Sequence, residues 1–207
     1  MKGDCGVNLV CGNSCLYSGI TYNTAIVGTQ CWMTKNLNVG TRIAGALNQT
    51  NNSTIEKYCY ADTESNCTTY GGLYQWDEAM GYAVVEGSQG ICPSGWHIPT
   101  DTEQYTLENY LKTGANSCVA SRAGGWDCDA AGTALKTGGS SGLNFPLAGF
   151  RATDGTFSNL TSYVNFWSSF AQDGSTAWHR TLGSGFSTVY RFLNSKANGI
   201  TVRCLKN

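Results

Sequence analysis

Proline, histidine and charge are all scarce in this chain. Its 207 residues include three Pro and two His, and the charged residues make up 13% with a net charge of -1. Each shortage excludes something. A nucleic-acid face needs clustered Lys and Arg against phosphate, and the basic residues here do not cluster along the sequence. No apolar run approaches the ~20 residues of a membrane-spanning helix. Two His leave little material for a histidine-based metal site. No Gly-rich loop has the spacing that cradles phosphate. Met1-Lys2-Gly3-Asp4 has no apolar stretch behind it, so a secretory leader is expected to have been removed or replaced by another export route.

Glycine and cysteine, by contrast, are plentiful. There are 26 Gly, and Ser, Thr and Asn fill the space between short apolar runs. That pattern predicts many short strands joined by tight turns, with few long helices. A hydrophobic content of 41% with six Trp supports a sizeable core. The ten cysteines are an even number spread along a loop-rich chain, which predicts five disulfides and an oxidising, extracellular or cell-surface location. Cys11-x3-Cys15 has zinc-like spacing, but no matching second pair follows it. Spacing leaves the connectivity open. Cys59–Cys67 and Cys118–Cys128 each close a short polar loop. Cys92–Cys204 is the expected long-range bond, and Cys5, Cys11, Cys15 and Cys31 are expected to pair near the N-terminus.

Residues 1–18 read as a Cys-rich extension and 19–207 as a single domain. Thr21 to Met33 predicts a hairpin turning at Gly28. Residues 44–56 predict an exposed loop. Sequons at Asn48, Asn51, Asn52, Asn66 and Asn159 are what chance supplies in so Asn- and Thr-rich a chain. A helix is expected between Tyr70 and Tyr82, with Trp76 and Met80 on one packed face. Thr100-Asp101-Thr102-Glu103 is a capping box, followed by Leu107 and Leu111 on one face and Gly114 as a stop. Asp101, Glu103 and Glu108 are read as helix-dipole partners. Ala130 to Lys136 predicts one further helical turn, and short strands follow from Phe145. The fold class is α+β.

The C-terminal residues 150–207 separate into a frame and a face. Gly149-Phe150-Arg151, Phe166-Trp167-Ser168-Ser169, Ala177-Trp178 and Gly199 to Cys204 form the frame. Between them lie Tyr163, Asn165, Phe170, His179, Thr181, Phe186, Tyr190, Phe192, Leu193 and Ser195, at irregular spacing. Rigid aromatics among adaptable polar residues make a binding surface, so these ten are the candidate ligand-binding residues. His97, between apolar residues and before a capped helix, reads as structural.

A series of phrases carries a resemblance. They are Tyr22-x-Thr24-x-Ile26-x-Gly28-x-Gln30-x-Trp32-Met33-x-x-Asn36-Leu37, Tyr70-Gly71-x-Leu73-Tyr74-x-Trp76 and Cys92-Pro93-x-Gly95-Trp96-His97-Ile98-Pro99-Thr100-Asp101. Leu135-Lys136, Gly149-Phe150-Arg151, Phe166-Trp167-Ser168-Ser169 and Val202-Arg203-Cys204 complete the set. In this order the phrases resemble the Fibrobacter succinogenes major paralogous domain of bacterial surface and secreted proteins. The resemblance implies a C-type lectin-like fold related to the formylglycine-generating enzyme, with two helices and short, mostly antiparallel strands. Gln104 departs from it, since the family tends to place Trp there.

The tail is also similar to the variable region of proteins diversified by retroelements, which mutate adenines. From Asn codons such mutation reaches all ten candidate residues but cannot produce Trp, Lys, Met, Gln or Glu, so Trp167, Trp178, Gln172 and Lys196 would belong to the frame. The calcium-binding Pro triplets of animal lectins are absent, leaving loop residues Asp154 and Asp173 as the only calcium suggestion. The cysteine pair of the formylglycine enzymes is not carried over, because disulfides account for all ten thiols. The expectation is therefore a recognition protein for an unidentified protein or glycan, with no catalytic residue, metal or cofactor. A structural or adhesive surface domain is the alternative.

Overall fold

The computed structural model describes residues 4–207, so Met1, Lys2 and Gly3, on which the leader reading partly rests, lie outside the described residues. In chain order the strands are β1 (Ser14–Tyr17), β2 (Ile20–Val27), β3 (Gln30–Met33), β4 (Thr41–Arg42) and β5 (Glu56–Lys57). Helices α1 (Glu64–Tyr70) and α2 (Trp76–Ala79) follow, then β6 (Trp96–His97), α3 (Asp101–Leu111), β7 (Gly125–Asp127) and α4 (Ala131–Leu135). The remaining strands are β8 (Ala148–Arg151), β9 (Phe157–Leu160), β10 (Tyr163–Ala171), β11 (Thr176–Gly183), β12 (Val189–Ser195) and β13 (Leu205–Lys206). One sheet runs β1-β2-β3-β13-β6 and a second runs β7-β12-β11-β10-β8-β9. Pairing within them is antiparallel except between β8 and β10. The class is α+β, as expected, with four short helices where two were implied.

Local signals explain most elements. Gly28 turns the β2–β3 hairpin at φ +61°, where a Cβ would also press on the Tyr110 ring. The capping box is complete. The Thr100 hydroxyl accepts from the Glu103 N–H at 3.1 Å, and the Glu103 carboxylate accepts from the Thr100 N–H at 2.8 Å. The helix ends at Leu111, earlier than Gly114 suggested, because Lys112 is already extended. The 70–82 region forms only one helical turn, yet Trp76, Ala79 and Met80 are buried as a packing face predicts. Helix α1 gave no periodic signal in the sequence. Cys67 is its only buried residue, and the Cys59–Cys67 bond ties it down. The Cys-rich segment does not hang free: β1 pairs with β2 along its whole length.

All five expected cross-links are present. Cys59–Cys67, Cys118–Cys128 and Cys92–Cys204 pair as anticipated, and the open N-terminal set resolves as Cys5–Cys15 and Cys11–Cys31. Cys92–Cys204 spans 112 residues, and a closed loop that long removes roughly 4–5 kcal/mol of unfolded-chain entropy in the chain model.

Two apolar clusters fill the interior. The first gathers Met33, Tyr74, Trp76, Trp96 and Trp167. The second gathers Trp32, Leu107, Phe145, Phe166 and Leu182. Trp167 is central to the first, and its indole N–H donates to the Tyr74 carbonyl at 2.8 Å.

Between and beside these clusters lie buried arginines. Arg203 donates to the Asn36 side chain and to the carbonyls of Met33 and Leu143, with no carboxylate beside it. Its guanidinium lies 3.8 Å from the Phe145 ring centroid, and burial lowers its pKa to about 9. Arg151 likewise gathers the carbonyls of Gly45, Leu47 and Ala197.

On α3, Asp101 and Glu108 are more than dipole partners. Asp101 binds Arg180 at 2.6 Å and Arg191 at 2.9 Å. Glu108 is buried between Arg180 and Arg122. Burial opposes the Asp101 charge, but Arg191 and Arg180 together hold its pKa below the ordinary carboxylate value.

Two variants test this account by urea unfolding at neutral pH. Trp167→Ala should lose about 3–5 kcal/mol through cavity formation. Arg203→Met should lose ~3 kcal/mol, because buried acceptors lose their donors. A loss under about 1 kcal/mol in either would contradict the packing described.

Candidate functional site

Side chains of a strand alternate between its two faces, and the register of β10, β11 and β12 puts this alternation to use. Val164, Phe166, Leu182 and Val189 face the second core cluster. Arg180 and Arg191, on that same side, reach α3. The residues between them form rows on the other side. Asn165 pairs with Thr181, Thr181 with Tyr190, and Tyr190 with Trp126 of β7. Trp167, His179 and Phe192 make a second row. The spacing that looked irregular is therefore largely the period of two, interrupted by a bulge between Trp167 and Ala171.

All of these row residues except Trp167, which is buried in the first core cluster, line a groove of about 360 Å³. Seven of the ten candidates line it: Tyr163, Asn165, His179, Thr181, Tyr190, Phe192 and Leu193. Phe186 does not line it but extends its aromatic wall, stacked on Trp126 with ring centroids 4.0 Å apart and planes 6° apart. Gly183 lies beneath this wall, where a Cβ would fall 2.6 Å from the Phe186 ring and 2.9 Å from Tyr163.

Two candidates lie elsewhere. Phe170 lies within the bulged stretch between Trp167 and Ala171, half-exposed, and is not a lining residue. Ser195 lines a different hollow beside Gln75 and Lys196. Five lining residues were not foreseen: Trp126, Phe150, Asn159, Asn194 and Asn198. Trp126 lies outside the tail and joins only through its pairing with Tyr190. Phe150 had been assigned to the frame. The three asparagines are ordinary loop residues by sequence.

The floor is polar and uncharged. His179 Nε2 lies 3.1 Å from the Thr181 hydroxyl, which donates to Asn165 Oδ1 at 2.6 Å. That chain places the imidazole proton on Nε2. Burial pushes the pKa of His179 down to about 3, so the ring is neutral at physiological pH. His179 was expected to meet ligand. It lies in the floor of the groove, 5% exposed, edge-on to Trp167.

The frame residues outside the adenine-reachable set do structural work. The Trp178 indole N–H donates to Gln172, and the Arg191 guanidinium lies 3.4 Å over the Trp178 ring centroid. Lys196 sits over Trp76. Gln104, where the family favours Trp, is buried and donates to the Trp167 carbonyl at 2.8 Å. The loop that presents Trp126 is anchored by Cys118–Cys128 and by Arg122 on Glu108.

The other acids and histidines serve the fold. Asp173 accepts from the Ser175 and Thr176 backbones, which lower its pKa to about 2, and Asp154 caps Thr156 in the same way. His97 sits between Glu103 and Asn207. Its burial works against protonation, but these partners raise its pKa above the ordinary value.

Among known families, the Fibrobacter succinogenes major domain model matches residues 26–206. Neither curated proteins nor solved structures gave a match.

His179 sets a pH test. Its folded pKa is about 3 against an ordinary 6.5. Between those values the unfolded chain binds a proton that the folded chain refuses, so stability falls as pH drops through that window. His97, with a raised pKa, acts with the opposite sign. Denaturant titrations from pH 7 to pH 4 should therefore show a shallower fall in His179→Gln than in the wild type. Parallel curves would contradict the buried neutral ring.

Proposed function

We propose that this chain, which belongs to the Fibrobacter succinogenes major domain family, is a non-catalytic extracellular recognition protein that binds ligand in the groove over β10, β11 and β12. The five disulfides support the extracellular part, since such bonds persist in oxidising compartments. One observation carries the binding part. Half-exposed rings and hydrogen-bonding side chains without protein partners converge on one concave surface of rigid strands. A sheet whose other face holds the core can present such groups without moving. The proposed scaffold is C-type lectin-like. The proposal includes no thiol chemistry, and what supports that is the pairing of every cysteine.

The sharper form of the proposal is that a retroelement diversifies the groove. Its support is the division of labour already described: Trp167, Trp178, Gln172 and Lys196 hold the frame, while the seven lining candidates are all adenine-reachable. Sequencing the gene's neighbourhood tests it. A near-copy repeat with adenines at these codons, beside a reverse transcriptase gene, is expected. Their absence removes diversification and leaves the binding proposal standing.

Binding is tested with glycan and peptide microarrays probed by the oxidised wild type and by a Tyr190→Ser/Phe192→Ser variant. Wild-type signals should fall at least tenfold in the variant, while stability changes by about 1 kcal/mol or less, as for other surface positions. An unchanged binding profile in a folded variant would refute the groove as the site.

A further inference from the structure

Building on that recognition reading, we propose that the groove takes a neutral saccharide chain. Its C–H faces would lie against Tyr190 and Phe192, and its hydroxyls would meet Asn165, Asn194 and the Tyr163 hydroxyl.

Charge is the first argument. No carboxylate, Lys or Arg lines the groove, and its one titratable imidazole is neutral above a pH of about 3. The guanidiniums of Arg180 and Arg191, on the strands beneath the groove, sit on the opposite face of the sheet and are occupied by Asp101. An anionic ligand would find nothing to balance it here.

Hydrogen-bonding character is the second. Asn165 is only 8% exposed, yet its amide nitrogen has no partner, because its oxygen takes the Thr181 hydroxyl. The Asn194 amide nitrogen is also unpartnered, its oxygen accepting from Asn198. The Asn159 side chain and the hydroxyls of Tyr163 and Tyr190 make no hydrogen bond within the described residues. Carboxamides and phenols both donate and accept, which is also the property of sugar hydroxyls. Beside them Phe192 is 45% exposed and stacks with Tyr190 at 5.4 Å, an apolar surface for a sugar ring's C–H face.

Backbone accessibility is the third. An extended peptide gains affinity by adding to a free sheet edge. Strands β10 and β11 are internal to their sheet and β7 covers β12 from Val189 to Arg191, so main chain open to an added strand is confined to the short Phe192–Ser195 end. Side chains must do the recognising. The groove volume of about 360 Å³ lies within the ~300–1,000 Å³ range of small-molecule sites.

The test is NMR titration of the isotopically labelled, oxidised full chain. The probes are cellohexaose, xylohexaose, mannohexaose and chitohexaose, with oligogalacturonate as the anionic control and a pool of extended neutral peptides as the peptide control. At least one neutral oligosaccharide should shift the Asn165 and Asn194 side-chain amides. Its dissociation constant should change less than twofold between low and high salt, or on adding EDTA, because no ion pair or carboxylate takes part. Asn194→Ala, at a half-buried position, should weaken binding about fivefold to tenfold with the fold intact, and Tyr190→Ser/Phe192→Ser should abolish it. Groove shifts by only the peptides or oligogalacturonate would overturn the saccharide assignment and leave the recognition site in place. No groove shift with any probe would overturn both.

Discussion

A guanidinium withdrawn from water must find acceptors for its N–H groups, and in this chain that demand decides where the loops lie. Arg151 and Arg203 are almost fully buried with no carboxylate in reach, and they draw in main-chain carbonyls from segments 46 to 170 residues away. A loop-rich chain carries many carbonyls outside helices and sheets, and each needs a donor if buried. Arginine supplies up to five donors in a fixed planar fork, so a single residue can fasten several strands of irregular backbone. Lysine would fill the same volume with fewer and less directed donors.

The second arginine group works differently. Arg122, Arg180 and Arg191 surround two carboxylates on α3, so charges that would be costly apart are held together away from water. This network fastens α3 to the inner face of β11 and β12, and through Arg122 it also fastens the loop leading to Trp126. The groove on the outer face inherits its rigidity from this side. The groove rings therefore lie on the opposite face from the ion pairs that hold these strands in place.

How much of this the sequence revealed follows from the range of each interaction. The capping box at Thr100 and the turn at Gly28 were legible because they involve residues at most a few positions apart. Cys59–Cys67 and Cys118–Cys128 were legible because short polar loops between cysteines suggest local closure, whereas spacing left the pairing of the four N-terminal cysteines open. The arginine network was not, since Arg180 and Asp101 lie 79 residues apart and nothing local marks either as buried. Asp101 in particular looked complete as a first-turn acid. Most of the candidate site was visible as aromatics between frame phrases, but its order was hidden. A bulge after Trp167 breaks the alternation, so Phe170 was grouped with residues it does not join. Trp126 was missed for the converse reason: it enters the groove from outside the tail, through a three-residue edge strand that carries no alternation of its own.

The polar groups in the groove also bear on which partner the proposed site would accept. Each unpartnered amide or phenol is satisfied by water in the free protein, and a ligand that offers only apolar contact would strip that water and return nothing. One that offers both hydroxyls and flat C–H faces replaces the water bonds while the aromatic surface is also covered. The buried chain from His179 through Thr181 to Asn165 strengthens this selection. It consumes the Asn165 oxygen inside the protein, leaving the amide nitrogen without a protein partner at the groove. The floor thus presents a donor at a fixed place, and the low pKa of His179 keeps that polarity constant across the physiological range.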